Sequence, residues 1–235
     1  MAQASGARVC EASAGVAGEA LQHQLRTAWA DTWLRRARSE RVWLAVSRER
    51  GMARVVAGDP PAVRREFVLR DRAGRALHFE CAWELPSRHS MVLHFQEPVV
   101  WELFMAANAP VVYEGMVHDF RMGEALGEPA EFPVRQIALP FPAAILSPVP
   151  ARPEVIIAGE SPAGRWQIGL MNLDVRRMIG VTALAEPPQA AGFFCQGTAR
   201  IVAVSDRKGG RVLLQLPGFM PVAALPENYS PCGGE

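Results

Sequence analysis

Lysine is nearly absent from this chain: Lys208 is the only one, and every other basic residue is arginine or histidine. The 25 Lys and Arg are balanced by 24 Asp and Glu, for a net charge of +1. No overall field draws such a chain to nucleic acid or to anionic lipid. No apolar run approaches the ~20 residues that span a bilayer. The N-terminus shows no basic region followed by an apolar core, so no secretory signal is read there. Cysteine is sparse. Cys10, Cys81, Cys195 and Cys232 lie far apart and form no C-x-x-C pair, which predicts free thiols in a reducing, cytoplasmic setting. The nucleophile elbow G-x-S-x-G, the zinc signature H-E-x-x-H and a phosphate-cradling glycine loop are all missing. Trp and Phe do not interleave with a basic stripe, which argues against single-strand nucleic-acid binding.

What is present is a folded, strand-rich composition: 235 residues, 49% hydrophobic and 21% charged, enough for one large domain or two small ones. The clearest pattern is Leu77-His78-Phe79-Glu80-Cys81-Ala82-Trp83-Glu84-Leu85. Its period of two marks a strand with one covered face. Asp71-Arg72-Ala73-Gly74 before it and Pro86-Ser87-Arg88 after it are turn chemistry. They predict a three-stranded meander over residues 64–96. In it Leu69 meets Leu77 and Phe67 meets Phe79, and Phe79, Cys81 and Trp83 share a face with Met91, Leu93 and Phe95.

Further strands are expected at 42–47, 53–57, 111–120, 134–139, 154–158, 165–170, 192–204 and 211–216. Leu21, Leu25, Trp29 and Trp33 recur every four residues and predict a helix over 17–38. On that reading Trp29 and Trp33 are candidate anchors for a protein partner. Val99–Ala107, opened by Pro98, reads as a short buried helix. Five prolines between Pro140 and Pro153 place a domain boundary near 146–153. The expected fold is therefore α+β and β-rich: an N-terminal tail and helix (1–40), an antiparallel β-barrel-like domain (41–147) and a second small barrel (148–235).

Two chemistries are open on the polar face of the meander. His78, Glu80 and His94 could hold a divalent metal or act as an acid–base set. Those chemistries are the alternative; the preferred reading is a non-enzymatic regulatory or assembly protein without a cofactor. Its partner is another protein or a second copy, with no nucleic acid and no membrane insertion.

Tyr113-Glu114-Gly115-Met116-Val117, Ile137-Ala138-Leu139-Pro140, Ala199-Arg200-Ile201-Val202 and the stretch Arg211–Phe219 together resemble flagellar-brake-type regulators, bacterial proteins of two barrels whose second is a PilZ domain. The resemblance implies a cyclic di-GMP-type site. By position it maps onto Arg152 at the linker and onto Asp174 and Arg176 in Asp174-Val175-Arg176-Arg177-Met178-Ile179-Gly180. The linker holds one Arg where the family motif has two, and the second string lacks the family's Ser. The implication is a degenerate PilZ domain, with a working cyclic di-GMP sensor as the further alternative.

Overall fold

The computed structural model describes residues 32–37, 41–106, 109 and 131–232. Apart from one 3-10 turn, Pro86–Arg88, every regular element among them is a β-strand, and every strand pairing is antiparallel. The strands form four open sheets. The first is β1 (Thr32–Arg36), β2 (Val42–Ser47), β3 (Met52–Ala57) and β4 (Ala62–Val68). The second is β5 (Phe79–Leu85), β6 (Ser90–Phe95), β7 (Val99–Phe104) and β8 (Val134–Ala138). The third is β9 (Ile145–Pro148), β10 (Glu154–Glu160), β11 (Trp166–Asn172) and β12 (Arg177–Ala183). The fourth is β13 (Pro188–Gln196), β14 (Ala199–Asp206), β15 (Arg211–Leu216) and β16 (Met220–Pro221), with β17 (Ser230–Pro231) added beyond β13. Apart from β17, neighbouring strands in each sheet are consecutive in the chain.

This overturns the α+β barrel expectation. None of the sheets closes on itself. The expected N-terminal helix fails where it can be judged: residues 17–31, Trp29 included, lie outside the described residues, and Thr32–Arg36 is β1. Trp33 and Leu34 are both buried, in different apolar clusters. A strand covered on both faces carries no period of two, and tryptophans spaced by four mimic a helix. Val99–Phe104 is wholly buried as β7, between β6 and β8. A continuous apolar run fits such a strand as well as it fits a buried helix. The strand expected at 111–120, with the Tyr113–Val117 string, lies outside the described residues.

The chain divides into two compact units. Among the described residues one comprises 32–95 with 99–137, and the other 96–98 with 138–232. The proline-rich stretch 146–153 falls inside the second unit, in the β9–β10 hairpin. There the Val149 N–H donates to the Glu154 carbonyl (2.9 Å) and the Arg152 N–H to the Val149 carbonyl (3.2 Å). Pro148 is tolerated because β9 is an edge strand.

In the first unit the first and second sheets bury one common core. Trp33, Leu44, Val46 and Val55 meet Leu77, Phe79, Leu93, Phe95, Trp101 and Leu103. A run of rings crosses it: Trp33 to Phe79 at 5.1 Å, Phe79 to Phe95 at 6.2 Å and Phe95 to Trp101 at 5.4 Å, each edge to face. The second sheet also holds a buried charge. Glu102 on β7 is fully enclosed. Its Oε1 accepts from Arg88 Nε (2.7 Å) and Ser90 Oγ (3.2 Å), and its Oε2 from Arg135. A carboxylate is stable out of water only when paired in this way.

The expected meander forms in part. At Asp71–Gly74 the Gly74 N–H donates to the Asp71 carbonyl (2.9 Å), and Asp71 Oδ1 accepts from Ala73 and Arg75 N–H (both 2.9 Å). The Arg75 N–H bond is the chief reason the Asp71 carboxyl lies below its ordinary 3.8. Leu77 N–H reaches the Leu69 carbonyl, as expected. Beyond that point the expectation fails. β4 pairs with β3, so Phe67 lies opposite Ala53 and not Phe79; the turn joins two sheets. A bulge at Glu80 also puts Phe79 opposite Phe95 but Cys81 opposite His94. One extra residue reverses the faces. Phe79 and Ala82 line the core with Met91, Leu93 and Phe95, whereas Cys81 and Trp83 turn to the other face, against His94.

In the second unit Ile156, Ala158, Ile168 and Leu170 of the third sheet bury against Val202, Val204, Leu214 and Leu216 of the fourth. The first strands of these sheets, β9 and β13, approach each other. Phe219, in the β15–β16 turn at φ 54°, lays its ring on Gly180 of β12; a Cβ at 180 would sit 2.7 Å from the Phe219 Cβ. Gly180→Ala is therefore expected to destabilise by about 1–3 kcal/mol in urea unfolding. Gly192→Ala, with nothing within 4 Å of the added methyl, should be neutral within about 0.5 kcal/mol. Glu102→Gln leaves Arg88 and Arg135 around a neutral group, and about 3 kcal/mol of stability should be lost in the same assay.

Candidate functional site

Glu154 opens β10 opposite Asn172, the last residue of β11. The β9–β10 and β11–β12 turns therefore lie at one end of the third sheet, and this brings Arg152, Asp174 and Arg176 to a common end. Arg152 is engaged there. Its Nε and Nη2 donate to Glu154 at 2.8 and 3.2 Å, and that bond raises its pKa above the ordinary arginine value. Glu154 is buried and also accepts from Asn172 Nδ2 at 3.4 Å. The guanidinium fork that would grip a phosphate is occupied by a carboxylate of its own hairpin.

The next turn is shaped by Asn172, whose Oδ1 accepts the N–H groups of Asp174 (2.9 Å) and Val175 (3.1 Å), an Asx turn. Arg176 then takes a left-handed φ of 55° and Arg177 starts β12. Asp174, Val175, Arg176 and Arg177 are all exposed. Alternation along β12 turns Met178 and Gly180 inward and Ile179 and Val181 outward. Val175 in the turn and Ile179 and Val181 on β12 keep 54%, 43% and 51% of their surface in water, an unusual exposure of branched apolar side chains at an outer strand. The row is bordered by Arg176 and Arg177, whose side chains make no ion pair among the described residues.

The outer strand of the first sheet differs. Val63 and Val68 are exposed on β4, but its arginines are held: Arg64 pairs with Glu131 at 3.1 Å, and Arg65 Nη1 donates to the Glu131 and Phe132 carbonyls at 2.8 and 3.0 Å. Both outer strands are bulged, β4 at Arg64 and β12 at Ile179, where the register skips one residue. A bulge interrupts the ladder that another strand would need.

The other candidates are not assembled. His94 is buried on β6, with Nδ1 4.0 Å from Cys81 Sγ and its ring beside Trp83. His78 is exposed ahead of β5, and Glu80 is the bulge residue. Among the described residues no group of three or more His, Cys, Asp or Glu is placed to hold a metal. Trp33 is core, not an exposed anchor. The free-thiol expectation is corrected as well: Cys195 and Cys232 form a disulfide, and no described cysteine is a free thiol. That link closes a separation of 37 residues, a constraint that stabilises by about 4 kcal/mol. A wide spacing without a motif carries no local signal of pairing, so sequence reasoning missed it. It also missed the exposed row at β12; the alternation Ile179, Val181 was the available signal. Among the described residues no helix is long and apolar enough to cross a membrane.

No protein-family model matches this chain, and no curated protein matches it. Among solved structures it is similar to dihydro-heme d1 dehydrogenase NirN in complex with DHE, at 17% identity and TM-score 0.57, over 77% of this chain and 34% of that one. It is also similar to Kluyveromyces lactis Hsv2 with its complete loop 6CD, at 12% identity and TM-score 0.49, over 82% of this chain and 50% of that one. The chain spans about a third of NirN's length. NirN is a β-propeller-like protein, not the PilZ barrel that the sequence strings resembled. The likeness to NirN concerns fold alone: the four open sheets of this chain have the form of propeller blades.

Proposed function

We propose that this chain is a non-enzymatic regulatory or assembly module that holds a protein partner on the outer strand of its third blade. The observation that carries this reading is the row Val175, Ile179 and Val181, about half exposed and bordered by Arg176 and Arg177. An apolar centre with an arginine rim is the composition of interface hot regions. The bulge at Ile179 shortens the ladder open to strand addition, so the partner is held by side-chain packing. A second copy is the alternative occupant. Nucleic acid and inserted membrane stay outside this reading.

The compartment in this reading departs from the cytoplasmic expectation. Disulfides persist where the surroundings oxidise, and the described cysteines are all in disulfides. An oxidising compartment therefore suits the chain better.

A photo-crosslinking residue at Val181 in the full chain, expressed in the producing cell, tests the proposal. One discrete adduct is expected. In the Ile179→Glu background its yield should fall roughly thirty-fold, the equivalent of about 2 kcal/mol at an interface hot spot. The same probe at Val63 should give no adduct of that mass. Equal adducts at both positions, or none at Val181, would overturn the reading.

A further inference from the structure

β17 is a strand added from a distance. It pairs over Phe194 with Pro231 and Cys195 with Ser230, and the Cys232 N–H donates to the Phe193 carbonyl at 2.9 Å. Behind it the chain is anchored where the Val222 N–H meets the Leu213 carbonyl at 3.0 Å. Between these points Ala223, Ala224, Pro226, Glu227 and Asn228 are exposed. Apart from the β13 pairing, the backbone bond seen there is internal, Tyr229 N–H to the Pro226 carbonyl at 3.1 Å. Two residue pairs make a marginal strand. The Cys195–Cys232 bond supplies the remaining hold.

Opposite β14, β13 shifts register between Pro188 and Ala190 and then runs in step from Ala190 to Gln196, the stretch on which β17 lies. A straight ladder with unpaired N–H and C=O groups is a ready template for an extended peptide. β17 itself shows that this edge accepts one, with proline tolerated at the position facing Phe194.

We propose that the β13 edge is a strand-binding site occupied by the chain's own β17, and that the Cys195–Cys232 disulfide is its redox lock. A dithiol reductant opens it by thiol–disulfide exchange. The Sγ–Sγ bond breaks, both sulfurs leave as thiols with two electrons and two protons from the reductant, and the reductant closes to its own disulfide. The freed segment then leaves β13 open to an extended peptide of β17-like sequence. In an oxidising compartment the lock is shut, and a thiol reductant is the signal that opens it.

Two measurements on the full chain test this. The first is amide hydrogen exchange of residues 193–196, with Ile201–Val204 of β14 as internal reference. Protection of 193–196 should fall at least ten-fold in reduced wild type and in Cys232→Ser, with the reference unchanged. Unchanged protection would show that β17 needs no lock, and parallel loss in the reference would show global loosening; either overturns the proposal. The second uses Cys232→Ser and a synthetic peptide of residues 224–232 whose cysteine carries a thionitrobenzoate leaving group. Cys195 attacks the peptide sulfur and releases thionitrobenzoate, read by absorbance. Release should be at least ten-fold faster than with a scrambled peptide. Equal rates would mean that the edge does not recognise the strand.

Discussion

Face-to-face burial between neighbouring open sheets is the constraint on which the rest of this protein depends. An open four-stranded sheet has two faces and two edges, and it cannot hide its apolar face alone. Here the first and second sheets share one core, and the third and fourth share another. The inner strands β2, β6, β7 and β10 are buried almost throughout. Their side chains meet a partner on both sides, and for this reason they read as apolar runs. Even the charged Glu102 follows from this arrangement. β7 has no solvent face on which to place a carboxylate, so Arg88, Ser90 and Arg135 enclose it.

Open sheets leave edges, and several of the outer strands carry a device against pairing. β4 and β12 carry bulges; β16 is two residues long and ends at Pro221. These are recognised devices against unplanned strand pairing. Against that background two features stand out because they run the other way. The outward row on β12 leaves branched apolar side chains in water where a charged residue would be safer. The β13 edge is regular from Ala190 to Gln196 and is covered there by a short strand and a disulfide. Neither is needed to complete a core, which is why both are assigned to interaction and control.

Much of the strand inventory was legible in the sequence. Val42–Ser47 and Arg211–Leu216 were placed correctly to the residue, because each is bounded by turn residues and rich in branched side chains. Asp206 Oδ1 accepts the N–H groups of Lys208 and Gly210 at 2.8 Å, the same device as at Asp71. Yet the two turns do different work, one joining sheets and the other joining β14 to β15. Ser161–Arg165, between β10 and β11, is the true counterpart of the Asp206 turn. Turn chemistry is local, and it does not say which strands pair. The bulge at Glu80 was illegible for a related reason. It is a one-residue event, decided by whether Cys81 and Trp83 fit beside His94 better than in the core. Trp33 was misread because spacing by four cannot report what covers the opposite face. The ligand candidates Arg152, Asp174 and Arg176 did come to one end of one sheet, but Glu154, which occupies Arg152, had drawn no notice in the sequence.

The face-to-face pairing is tested most directly by a double-mutant cycle between Trp33 of β1 and Phe79 of β5, read by urea unfolding of wild type, Trp33→Leu, Phe79→Leu and the double variant. These rings belong to different sheets and sit 5.1 Å apart, edge to face. The account predicts a coupling of about 1 kcal/mol. Additivity within about 0.3 kcal/mol would contradict it, since two sheets that do not share a core have no reason to couple these residues.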